Sequence, residues 1–105
     1  MFKYKILKEI EKNPSHTQRS LAEKLGVSLG KINYVLSGLI EQGIVRVKKL
    51  TNEPGNIPWN YLLTRKGIQE KLNITKNYLK RREIEFEEIR LEIESLKKEV
   101  KEEGG

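Results

Sequence analysis

The sequence has no cysteine and only one histidine and one tryptophan among its 105 residues. Without cysteine, neither a disulfide framework nor a thiolate metal site can be built. His16, standing alone, leaves histidine-based catalysis and imidazole metal sites without their usual residues. No apolar run approaches the ~20 residues needed to cross a bilayer. Residues 1–13 alternate lysines with apolar residues and lack the continuous core of a signal peptide. There is also no nucleophile–base pair, no phosphate-cradling glycine loop and no metal-ligand cluster. The expectation is a soluble cytoplasmic protein that is not an enzyme, needs no cofactor and has no membrane partner. Hydrophobic residues make up 36% and charged residues 34%. That is lean for a compact globule, so part of the chain is expected to stand in solvent or to pair with a partner.

The net charge of +6 is unevenly spread. Residues 1–82 carry 17 Lys and Arg against 6 acids, a balance of +11, whereas residues 83–105 carry 4 against 9, a balance of −5. A basic part and an acidic tail suit different partners. The basic part fits a polyanion, because each neutralised phosphate releases condensed counterions. A lysine-rich surface that only keeps the protein soluble fits the charge equally well.

Along the chain, Phe2, Ile6, Leu7 and Ile10 fall at helical spacing, and Pro14 stops that helix after Asn13. Thr17 caps a short helix that runs to Leu25, with Leu21, Ala22 and Leu25 inward and Gly26 ending it. Ser28 caps the next helix, in which Ile32, Val35, Leu36, Leu39 and Ile40 form an apolar stripe closed by Gly43. Two helices joined by so short a glycine-containing turn carry the helix-turn-helix signature. The period then changes to alternation. Ile44, Val45 and Val47, interleaved with Arg46, Lys48 and Lys49, predict a strand. A turn follows around Pro54-Gly55, and Trp59, Tyr61, Leu62 and Leu63 form the returning strand. Thr64 caps a last helix from Arg65.

From Leu72 the pattern is a heptad, with Leu72, Leu79, Phe86, Ile93 and Val100 at seven-residue intervals. Ile89 and Leu96 occupy d positions, where Thr75 and Arg82 fit poorly, so the clean seam runs from Phe86 to Val100. Ile84 and Leu91 fall off the seam, as they would in a helix that packs on its own domain. With Phe86 at a, the g positions are Glu85, Glu92 and Glu99, and the e positions include Arg90 and Lys97. A parallel pair sets Glu85 against Arg90 and Glu92 against Lys97, whereas an antiparallel pair sets glutamate against glutamate. The expected fold is mainly α with a small β-hairpin. A winged helix-turn-helix domain over residues 1–72 precedes a long coiled-coil helix over 73–105, with Leu79, Phe86, Ile89, Ile93, Leu96 and Val100 as its dimerisation residues.

Three stretches, "SLAEKLGVSLGKINYVLSGLIEQGIVRV", "YLLTRKG" and the charged helix after them, resemble the winged-helix regulators of the MarR type, most of all a short subgroup associated with exopolysaccharide gene clusters. The resemblance implies a homodimer that binds double-stranded DNA and regulates transcription. The chain lacks the extra N-terminal helix and second C-terminal helix of larger relatives, which build the effector pocket. No phenolic-ligand switch is therefore implied, and any effector stays open.

The stripe of the second helix of the motif leaves Gly30, Lys31, Asn33, Tyr34 and Ser37 pointing outward. A major groove admits one helix and displays base edges to its N-terminal part. Asn33 can pair bidentately with adenine, Lys31 can reach guanine or a phosphate, and Tyr34 a thymine methyl or a phosphate, while Gly30 lets the backbone come close. Thr17, Gln18 and Arg19 open the preceding helix, whose N-terminal amides suit a phosphate, and Ser28 opens the recognition helix. In the hairpin, Lys48 and Lys49 point to opposite faces. Asn52 and Asn56 are wing-tip contacts or turn formers. Trp59 is expected to pack in the core or wing, and His16 to sit on the surface or in a turn. A protein-interaction or RNA-binding module docking through its long helix is the alternative.

Overall fold

The computed structural model describes residues 1–49 and 59–104. Helix α1 spans Phe2–Lys12 and buries Ile6, Leu7 and Ile10. It ends where Asn13 turns extended and its N–H bonds Glu9 O, ahead of Pro14. Helix α2 spans Gln18–Leu25. Thr17 Oγ1 accepts from Ser20 N at 3.0 Å while Ser20 Oγ accepts from Thr17 N at 2.8 Å, so two otherwise unpaired amides are served reciprocally. Gly26 ends α2 at φ 67°, a conformation in which a side chain is strained, and Val27 N then reaches back to Ala22 O. Helix α3, Leu29–Glu41, starts at Ser28, whose hydroxyl accepts from Lys31 N at 3.1 Å.

Strands β1, Val45–Lys49, and β2, Trp59–Leu63, pair antiparallel, with Val45 opposite Leu63, Val47 opposite Tyr61 and Lys49 opposite Trp59. The other edge of β2 meets the α1–α2 linker, because Tyr61 N donates to Pro14 O at 3.0 Å. The core gathers Ile6, Leu7, Ile10, Leu21, Ala22, Ile32, Leu36, Leu39, Ile44 and Val45, with Phe2, Val35, Leu63 and Ile74 partly buried against it. Two residues depart from the sequence reading. Ile40 lies at the edge of the α3 stripe and is exposed, as is Trp59 at the end of the hairpin. Helix-turn-helix followed by a two-stranded hairpin is the winged helix-turn-helix arrangement, and a long C-terminal helix, α4, spans Arg65–Glu103.

The chain divides into two compact units, Met1–Ile74 and Thr75–Gly105. Within the first, α4 is joined to α1 by Lys3–Glu70 and Lys71–Glu11 ion pairs at 2.9 and 3.0 Å. Its start is fixed by Thr64, whose Oγ1 accepts from Gly67 N at 3.0 Å and whose N–H donates to Ile44 O at 3.0 Å. Within the second, residues 76–104 are exposed throughout. Among the described residues, no helix is long and apolar enough to cross a membrane.

Gly67 is buried, and a Cβ there would stand 2.1 Å from the Ile44 carbonyl oxygen. That atom is backbone and is fixed by the Thr64 hydrogen bond, so it cannot move aside cheaply. Gly67→Ala should therefore destabilise the fold by about 2–3 kcal/mol, measured as a lower midpoint in urea unfolding. An unchanged midpoint would mean that α4 can shift away from β1 at little cost.

Candidate nucleic-acid interface

Burial of Ile32, Leu36 and Leu39 fixes the rotation of α3, and Gly30, Asn33, Tyr34 and Ser37 are left exposed on its outer side. Tyr34 is 81% exposed, a large aromatic with no role in the core. A Cβ on Gly30 would meet nothing within 4 Å. Lys31 is exposed as well, but its Nζ lies 4.4 Å from the centroid of the Phe2 ring, a cation–π contact with α1. It therefore flanks the outer face on the α1 side. Asn33 marks the opposite flank, where its Nδ2 donates to Gln18 Oε1 at 3.2 Å.

That bond brings two of the expected contact residues together across the turn. Thr17 and Ser28 each use the hydroxyl oxygen as a helix cap and remain exposed, as does Arg19. Glu41, four residues after Ser37, is exposed on the same side of α3, and the sequence reading assigned it no part. Its carboxylate disfavours phosphate at the C-terminal end of the face, which leaves the N-terminal half as the part suited to a polyanion.

In the hairpin, alternation puts Lys49 with Val47 and Trp59 on one side, and Lys48 with Arg46 and Asn60 on the other. Arg46 was also missed. The signal for it was the same period of two that separates Lys48 from Lys49. Asn52 and Asn56 lie outside the described residues. His16 is neither on the outer face nor at the surface of a turn. Its Nδ1 lies 2.8 Å from Ser20 Oγ and its Nε2 3.4 Å from Glu9 Oε2, so it bridges α1 and α2.

In the second unit, Leu79, Phe86, Ile89, Ile93, Leu96 and Val100 are between 46% and 70% exposed, and Ile84 and Leu91 are exposed too. The charges beside them are already paired within the helix: Arg82 bonds Glu85, and Arg90 bonds both Glu87 and Glu94. The hydrogen bond from Arg90 holds the Glu87 carboxyl below the usual carboxylate range and raises the guanidinium in turn. Among the described residues, no group of three or more His, Cys, Asp or Glu could hold a metal ion.

No curated protein matches the chain. Residues 2–46 match the family model described as winged helix-turn-helix DNA-binding, a stretch that takes in α1, α2, α3 and the start of β1.

Proposed function

We propose that this protein is a sequence-specific regulator of transcription that binds double-stranded DNA as a homodimer in the cytoplasm. The observation that carries this reading is the outer face of α3. A helix rotated by its own buried stripe presents Gly30, Asn33, Tyr34 and Ser37 uncovered, in a fold whose first 46 residues resemble DNA-binding domains. Asn33 reads a base edge, Tyr34 meets a thymine methyl or a phosphate, and the start of α2 lies against the backbone with Arg19 and the amides beside Thr17. Arg46 and Lys48 supply cations from one side of the hairpin. A narrower assignment to MarR-type regulators of polysaccharide-related genes rests on the resemblance of the quoted stretches.

The homodimer reading rests on the exposed a and d residues of the second unit. Pairing two copies along Phe86, Ile89, Ile93, Leu96 and Val100 removes that apolar surface from water. The e and g charges contribute less to the choice of orientation than their spacing suggests. Arg90 would have to leave Glu87 and Glu94 to meet a partner's Glu85, and exposed pairs are worth only ~0.2–1 kcal/mol each. Two recognition helices joined in this way read two half-sites at once and multiply a modest single-domain affinity.

Three outcomes are expected. With about 6 phosphate contacts, log affinity for a selected duplex should fall with log salt at a slope of roughly −5, read by fluorescence anisotropy. No binding at low salt would sink the DNA reading and favour a protein-interaction or RNA-binding module. Gly30→Ala should raise the stability of the free protein by about 0.5–1 kcal/mol, because a helix interior gains an alanine without a clash. The same change should weaken duplex binding, and a tighter or unchanged affinity would show that the backbone at Gly30 does not approach DNA. Finally, Ile93→Lys with Leu96→Lys should sediment as a monomer and lose tight binding to a two-half-site duplex, while contact with a single half-site persists. If that variant stays dimeric, the dimer is built elsewhere.

A further inference from the structure

We infer that Gln18 is a positioning residue that sets the direction of the Asn33 side-chain amide and so gives it its preference for adenine; the inference rests on the DNA reading above. Gln18 is the first residue of α2, directly after the Thr17 cap, and is half-buried. Asn33 lies in the second turn of α3, behind the Ser28 cap. Both helix starts are pinned by side-chain hydrogen bonds, so the two amides meet at a fixed place.

The Asn33 amide nitrogen carries two hydrogens, and its oxygen has two acceptor sites. One hydrogen serves Gln18 Oε1 at 3.2 Å. The second hydrogen and Oδ1 remain at the exposed end of the side chain, a donor beside an acceptor. Adenine offers the complement in the major groove, an N7 acceptor beside an N6 donor, whereas guanine offers two acceptors, N7 and O6. Rotating the Asn33 amide by 180° would set Oδ1 against Gln18 Oε1, two oxygens with no hydrogen between them. An acceptor at position 18 thus holds Asn33 in the one orientation of the two that keeps its donor and acceptor in order. An unheld asparagine presents either order and discriminates less. Gln18 had been expected to meet a phosphate; here its carbonyl acts inside the protein, and its Nε2 is not needed for the task.

The test uses a duplex enriched from a random-sequence pool by the full-length wild-type chain, with each base pair then varied in turn. The reporter position is the one where Asn33→Ala flattens the preference, and it should be adenine. Gln18→Met, similar in size but without an acceptor amide, should reduce the adenine preference there by roughly 5- to 150-fold, the range for one bidentate contact. It should add no further loss in the Asn33→Ala background. Gln18→Glu presents only acceptors when ionised, so it should keep the adenine preference within about twofold. Its added negative charge should weaken binding to every duplex by a common factor. Thermal unfolding followed by circular dichroism checks that both variants fold.

If Gln18→Met weakens all duplexes alike and leaves the preference intact, Gln18 is merely structural and the inference is overturned. Equal loss of preference in the Met and Glu variants overturns it too, as does a reporter position other than adenine. If the wild-type chain enriches no duplex at all, the DNA reading itself fails, a result distinct from either of these.

Discussion

Ile44 is the residue through which every element of the first unit is tied together. Its N–H donates to Leu39 O and closes α3, its side chain is buried in the core, and its carbonyl accepts from Thr64 N where β2 gives way to α4. The Gly67 backbone then lies so close over that carbonyl that no Cβ fits. Thr64 Oγ1 adds a bond to Gly43 O on the same junction, and Lys66 Nζ reaches Gln42 O at 2.9 Å. The C-terminal end of the recognition helix, the root of the hairpin and the start of α4 therefore cannot shift independently. A helix that is to enter a groove needs that restraint, since its outer residues read bases only from a fixed pose.

The restraint also explains how the outer face can be so poor in packing residues. With Ile32, Leu36 and Leu39 inward and both ends capped, α3 does not depend on Gly30, Asn33, Tyr34 or Ser37 for its stability. A glycine inside a helix costs about 0.5–1 kcal/mol relative to alanine. At Gly30 nothing in the chain requires that glycine on steric grounds, which turns attention to what lies outside the chain.

Much of this was legible in the sequence because it is local. Caps at Thr17 and Ser28, the stop at Pro14, the glycine at 26 and the change of period after Gly43 each depend on a few neighbouring residues. Faces followed where the period was clean. They blurred at Ile40, which sits at the margin of a stripe, and at Trp59, where size suggested burial but the end of the hairpin offers little to pack against. Contacts that join distant segments were not legible. Spacing alone places Lys31 outward and cannot show that the Phe2 ring, 29 positions earlier, draws its ammonium sideways. The Gln18–Asn33 bond likewise exists only once the turn has brought the two helix starts together. His16 was read as a surface residue for the same reason, because its partners Glu9 and Ser20 lie on two different helices.

The second unit follows a different logic. Residues 76–104 have no core to supply their stability, and a helix that is exposed all round must rely on propensity, on side-chain pairs within itself, or on a partner. The Arg82–Glu85 pair and the Glu87–Arg90–Glu94 network serve the second of these. Such pairs are worth only ~0.2–0.5 kcal/mol each on an isolated helix, too little to account for a row of Phe86, Ile89, Ile93, Leu96 and Val100. Polar residues at those positions would leave the same ion pairs intact and remove the unfavourable contact with water. The seam therefore makes physical sense only if another apolar surface covers it. A second copy offers one in matching register, whichever way the exposed charges finally pair.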